Sequence, residues 1–326
     1  MGWLNGVAGV DLFFVISGFI ILWGSSAFAA APGHDSIRTA CKFIELRLIR
    51  VVPIYWLATA LKIILIFLMP THLFLNERPD LWRTVLSFLF FPYNSIYGNF
   101  QPILTVGWTL SFELSFYLIF AAALAMAADP LLVATPILVA LALASIWRTL
   151  NWPAVMALAN PLVLEFALGM ATARLFMIGR LALKPWVAVM ALALGAAYLC
   201  FGPRPDYWSR PVLWGGAAAL VLASALALEP FVTGRMARYL SLLGEASYAL
   251  YLVHGFVLQL AGVAAGRLHL HGPALETAFI AVSLTVSIAA AVVVHLYVER
   301  PLTKSLRKLA KDRSRRGRLI VEPAPL

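Results

Sequence analysis

The sequence predicts an all-α, polytopic bundle of transmembrane helices, about nine spans in a chain of 326 residues. Three observations predict it. Apolar residues make up 62% of the chain and charged ones only 12%, whereas a soluble domain carries roughly a quarter charged residues and under about half apolar ones. Mean hydropathy is +0.88, so the chain has more apolar surface than one core can bury, and the rest must face lipid. The apolar residues also come in separate runs of spanning length. A bilayer core of ~30 Å takes about 20 residues of helix, which gives this chain room for about eight to ten spans.

Nine runs qualify, covering roughly residues 8–30, 48–69, 105–128, 131–148, 157–177, 185–201, 212–228, 243–264 and 275–297. A further run, Leu81 to Phe91, is too short to cross and stops at Pro92, as a re-entrant or interfacial segment would. The stretch 70–104 around it is rich in Pro, Asn, Tyr and Trp, and loops of that length usually carry function or cover something.

The Lys/Arg bias orients the bundle. With the C-terminus in the cytoplasm, that side receives Arg38, Lys42, Arg47, Arg50, Arg174, Arg180, Lys184, Arg235, Arg238 and nine basic residues between Arg300 and Arg318, 18 of the 25 in all. Lys62, Arg78, Arg83, Arg148, Arg204, Arg210 and Arg267 are left outside or within spans. Nine spans then place the N-terminus outside, with no signal peptide to carry it there. Residues 1–303 read as the membrane domain and 304–326 as a basic cytoplasmic tail. Leu302, Leu306 and Leu309 recur at helical spacing among the tail's charges, which predicts a short helix on the inner leaflet with membrane lipid as its partner.

The net charge of +10 is therefore a topology signal, and no nucleic-acid motif accompanies it. Cys41 and Cys200 fall on opposite sides of the membrane in this topology and offer neither a disulfide framework nor metal-ligand spacing; no metal is expected.

Ionisable groups inside spans mark candidate chemistry, since each costs at least ~2.5–3.5 kcal/mol to insert. Asp11, Lys62, Glu113, Glu165, His254 and His295 are of this kind. Lys62 can snorkel to the outer interface, His295 stands at the inner boundary, and Glu165 follows Asn160-Pro161 by a turn as packing polarity. Asp11 opens its span, so either a helix-dipole contact or a role at the site explains it. Glu113 sits well inside Trp108-Thr109-Leu110-Ser111-Phe112-Glu113-Leu114-Ser115-Phe116-Tyr117 and shares a face with Tyr117. It either clamps two helices or orients a substrate, with Trp108 and Tyr117 offering an indole N–H, a phenol and aromatic faces that suit sugar rings. His254 is either a hydrogen-bonded structural group or a reactive one. Arg47 and Arg50, three apart on one helix face, make either a phosphate clamp or a pair of topology anchors.

Taken in order, GVDLFFVISGF, RLIRVVPIYW, WTLSFELSFYL and SYALYLVH resemble successive blocks of the acyltransferase-3 family of membrane O-acyltransferases. PILTVGWTLSFELSFYLIF is similar to its exopolysaccharide-production branch. The likeness runs from residue 7 to about 303. It implies transfer of an acyl group, commonly acetyl, from acyl-CoA to a hydroxyl of a cell-surface or exported carbohydrate, lipid-linked or free, at a bacterial plasma membrane. It implies catalytic roles for Glu113, His254 and Asp11, CoA-phosphate contacts for Arg47 and Arg50, and acceptor contacts for Trp108 and Tyr117. Similar proteins carry one more helix before the GVDLFF block, bearing the general-base histidine. Ten spans and a cytoplasmic N-terminus are the expectation with that helix in place. The family block also has proline where Gly255 follows His254 here. Two other functions compete: a transporter or flippase of lipid-linked or acylated sugar, and an inactive, truncated homologue that assists polysaccharide assembly. Paired broken helices in related halves would favour the transporter, and no such symmetry is visible.

Overall fold

The computed structural model describes residues 5–29, 35–68, 80–91, 102–147, 149, 152–268 and 273–321. Its helices, in chain order, are α1 (Gly9–Ala29), α2 (Ser36–Leu68), α3 (Leu81–Phe88), α4 (Gly107–Ala125), α5 (Pro130–Ala144), α6 (Leu164–Met177), α7 (Pro185–Phe201), α8 (Arg210–Leu228), α9 (Gly234–Glu245), α10 (Ser247–Leu268), α11 (Pro273–Val294) and α12 (Arg300–Val321), with no strand among the described residues. Among those residues, seven helices are long and apolar enough to cross a membrane: α1, α2, α4, α5 with its following 3₁₀ turn, α8, α10, and the rod that α11 and α12 form through a π turn. The chain is an integral membrane protein, all-α as its composition requires.

Local chemistry explains most boundaries. Asp129 caps α5, accepting from the Leu131 N–H at 3.0 Å, and Pro130 follows at the first position, where its missing donor is harmless. Helix α2 has 33 residues, about 50 Å at 1.5 Å per residue. The span expected at 48–69 is thus the second part of a longer helix, with Arg38, Lys42 and Arg47 on its first part and Arg50 at the start of the second. The run 157–177, expected as one span, is interrupted. Ala154–Leu158 and Pro161–Val163 are 3₁₀ turns, and only α6, with 14 residues, is α-helical. The reason is Asn160-Pro161: the Asn160 side chain takes the Leu162 N–H at 3.0 Å and starts a new turn there. The run 243–264 likewise holds a helix junction, since α9 ends at Glu245 and α10 begins at Ser247. Of the stretch 70–104, residues 80–91, which include α3, and 102–104 are described, and the rest lies outside the described residues. The tail forms a helix, α12, continuous with α11 through the 303/304 boundary. Both cysteines are free thiols.

The chain divides into two compact units. The first draws on Met1–Ile44, Phe90–Gln101 and Trp108–Thr233, the second on Glu45–Leu89, Pro102–Gly107 and Gly234–Leu326. In the first unit α1 and α6 touch backbone to backbone. A Cβ on Gly18 would stand 2.2 Å from the Phe166 carbonyl oxygen, and one on Gly169 would stand 2.0 Å from that of Val15. Lipid tails are as apolar as any side chain, so close packing over small residues, rather than transfer out of water, holds such helices together. Around this seam runs an aromatic chain: Phe14 to Phe166 at 4.7 Å, Phe166 stacked on Phe116 at 4.4 Å, Phe116 to Phe120 at 6.0 Å and Phe120 to Phe43 at 5.1 Å. It fixes α1, α4, α6 and the start of α2 relative to one another.

The second unit relies more on phenols bonded to backbone. Tyr55 is fully buried and donates to the Ser87 carbonyl at 3.2 Å, Tyr248 to that of Val51 at 2.8 Å, and Tyr251 to that of Val106 at 2.7 Å. Gly107 is required beside Tyr55, because a Cβ there would meet its hydroxyl at 2.5 Å. Lys62 donates to Gln259 at 2.6 Å, so the snorkelling expected of it gives way to a polar pair. His295 is buried in the π turn and bonded through Nδ1 to Glu299 at 2.8 Å.

Candidate active site

Glu113 is 7% exposed near the start of the α4 span, where an uncompensated charge would be costly. Its Oε1 accepts from the Tyr117 hydroxyl at 2.5 Å, one turn along, and from the Ser17 hydroxyl of α1 at 3.2 Å. Tyr117 is itself held edge-on by Phe43 at 6.1 Å. Trp108 is half-buried at the head of α4, edge-on to Phe14 at 6.5 Å and to Phe112 at 5.8 Å. The i, i+4 relation of Glu113 and Tyr117 is thus a real contact, while Trp108 stands apart from it on the Phe14 side. Ser17 was not singled out from the sequence, although it lies in the GVDLFFVISGF stretch. A hydroxyl six residues after Asp11 in an apolar helix is a weak signal without knowledge of the facing helix.

Asp11 is fully buried in the first turn of α1. Arg210 of α8 grips it with two bonds, Nε to Oδ1 at 2.9 Å and Nη2 to Oδ2 at 2.9 Å. This is the bidentate pairing that makes guanidinium–carboxylate contacts strong. The guanidinium also lies over the Trp214 ring at 5.1 Å. Glu165 of α6 is fully buried beside Asp11, and neither of its oxygens finds a hydrogen-bond donor among the described residues. The structure therefore brings Asp11 and Glu113 to the same helix, α1, but into two separate polar clusters. Arg210 was read from the sequence as an outer topology residue. A cation in the first turn of an apolar span was the available hint.

In the second unit, Arg47 and Arg50 lie half-buried one turn apart on α2, ahead of Pro53. His254 is half-buried in α10, with Nδ1 3.1 Å from the Leu250 carbonyl and its ring 5.9 Å from that of Tyr251. A carbonyl can only accept, so Nδ1 carries the proton in this bond. Among the described residues no group of three or more His, Cys, Asp or Glu side chains is placed to hold a metal ion.

A family model described as an acyltransferase domain, the acyltransferase-3 model, matches residues 1–294. The chain is 33% identical to the exopolysaccharide production protein ExoZ of Rhizobium meliloti (strain 1021), over 92% of this chain and 90% of that protein. It is 29% identical to the acyltransferase MdmB of Streptomyces mycarofaciens, over 92% of this chain and 82% of that one. No solved structure matches.

Proposed function

Because the chain belongs to the acyltransferase-3 family and is an acyltransferase, we propose that it moves an acyl group, acetyl in the simplest case, from acyl-CoA to a hydroxyl of an exported carbohydrate. The carbohydrate class is suggested by the relative whose name is an exopolysaccharide production protein. In the reaction the acceptor oxygen attacks the thioester carbonyl, the C–S bond breaks, and the hydroxyl proton leaves with the help of a base. The observation that carries the reading is the buried Glu113 carboxylate, which already receives two hydroxyls, from Tyr117 and Ser17. A carboxylate so arranged can take a sugar hydroxyl by the same geometry and orient it for attack, with Tyr117 and Trp108 as aromatic walls.

Asp11 acts through its grip on Arg210, which holds α1 against α8 and thereby holds Ser17 in register with Glu113. For His254 the family resemblance implies a catalytic role, and its Nδ1 is turned to the Leu250 carbonyl. Arg47 and Arg50 take the CoA phosphates, for which two guanidinium forks a turn apart are suited. Losing one such charge-assisted contact costs about 1.5–3 kcal/mol, roughly tenfold to a hundredfold in affinity.

The test is a transfer assay: membranes containing the full chain, radiolabelled acetyl-CoA, and the polysaccharide or its lipid-linked repeat as acceptor. Label should appear in alkali-labile ester on the carbohydrate, and Arg50→Ala should raise the KM for acetyl-CoA with little change in that for the acceptor. Label that crosses the membrane without forming an ester would replace this reading with transport.

A further inference from the structure

Helix α9 is a 12-residue segment in which no residue is buried. Met236, Tyr239, Leu240 and Leu243 recur at the spacing that puts them on one side of a helix, and they are 61%, 65%, 50% and 42% exposed. Arg238, Ser241 and Glu245 fall on the opposite side, with Arg235 on the flank. Only the C-terminal end of that polar side meets the rest of the unit, where Glu245 approaches the buried His295 Nε2 at 3.6 Å, and Arg238 and Ser241 stay exposed. The apolar stripe therefore points away from the protein. We propose that this stripe seats α9 in the headgroup layer of the bilayer, with Arg235 and Arg238 binding anionic lipid there.

Three observations select lipid as the occupant. Ala246 alone separates α9 from the span α10, and the short turn Glu229–Phe231 with Val232 and Thr233 separates it from the span α8. Both ends of α9 thus emerge from membrane helices. At 1.5 Å per residue the helix is about 18 Å long, too short to cross ~30 Å of hydrocarbon, so it stays near the surface where α10 starts. Within the same unit, α10 also leaves large apolar residues uncovered, Leu258 and Leu260 at 51% and 58% exposure. Its charge pattern is also that of an interfacial helix, arginines on the polar face beside large apolar residues. The proposal rests on the membrane-spanning assignment and is independent of the acyl-transfer reading.

The experiment uses the full chain in nanodiscs of phosphatidylcholine with phosphatidylglycerol, in a Cys41→Ser/Cys200→Ser background. Nitroxides attached after Met236→Cys, Leu240→Cys and Leu243→Cys should relax with dissolved oxygen, as lipid-embedded probes do. Those after Arg238→Cys and Ser241→Cys should relax with a water-soluble nickel chelate. An Arg235→Gln/Arg238→Gln variant should lose roughly thirtyfold of its preference for phosphatidylglycerol over phosphatidylcholine, two cations' worth of surface attraction. All of these positions are exposed, so the fold is kept, checked by monodisperse elution. Stripe probes that read water overturn the proposal. Spin–spin broadening between stripe probes overturns it in favour of a second copy of the chain. An unchanged lipid preference removes the anionic-lipid half.

Discussion

Helix α1 carries two polar clusters six residues apart, about 9 Å along its axis, and the two are held in different ways. At Asp11 a guanidinium meets a carboxylate with both oxygens engaged. At Glu113 a carboxylate receives two hydroxyls, one of them from α1 itself. Both carboxylates are buried, at 0% and 7% exposure. A bidentate ion pair in a low-dielectric interior cannot lose one partner cheaply, because the other is left stranded. A hydroxyl-to-carboxylate bond is exchangeable, because a substrate hydroxyl offers the same donor. The first cluster has the character of a fastening, the second that of a binding position, and the difference is open to experiment.

The largest effect on stability is expected at the fastening. Asp11→Ala takes away the carboxylate that Arg210 grips with both bonds and should destabilise the folded protein by about 3–5 kcal/mol, read as a lowered melting temperature in detergent. Replacing both partners, Asp11→Leu with Arg210→Met, should recover most of that loss. If Asp11→Ala melts with the parent protein, the fastening is not there. Next comes the seam that aligns the two clusters. Gly169→Ala puts a methyl against the Val15 carbonyl, and overpacking of this kind costs about 1–3 kcal/mol. Its loss of activity should track its loss of folded protein, and activity that survives a normal melting curve would mean α1 and α6 can part without consequence.

Glu113→Gln should shift stability by no more than about 1 kcal/mol, since shape and much of the hydrogen bonding are kept, while acyl transfer disappears. Poor folding with normal activity per folded molecule would return Glu113 to the same class as Asp11. The smallest effect belongs to Tyr117→Phe. It removes one donor to Glu113, about 0.5–1.5 kcal/mol, and should lower kcat/KM for the acceptor by up to about tenfold with the KM for acetyl-CoA unmoved.

Half of this comparison was legible before any coordinates. Glu113 and Tyr117 are four residues apart on a helix whose apolar run announces it, so their contact follows from helical geometry alone. Arg47 and Arg50 were legible for the same reason. Asp11's partner was not, because Arg210 lies 199 residues away, and a sequence read without relatives carries no record of which span faces which. Ser17 and Glu113, 96 residues apart, were hidden in the same way. The interrupted span before α6 was misjudged for a different reason. Averaged hydropathy ignores what Asn160-Pro161 does to backbone hydrogen bonds.

Composition and the spacing of apolar runs determined that the chain is helical and lives in a membrane, because a backbone in lipid must satisfy its own hydrogen bonds and few structures can do so. Local spacing determined which side chains share a helix face, and short-range chemistry placed the caps. Tertiary structure alone decided that Asp11 meets Arg210 and that the Ser17 hydroxyl reaches Glu113. It also decided that α9, unremarked in the sequence, leaves an apolar stripe uncovered. Those outcomes depend on the order in which helices pack, and among equally apolar spans that order is set by a few small residues such as Gly18 and Gly169, whose lack of a side chain lets two backbones meet.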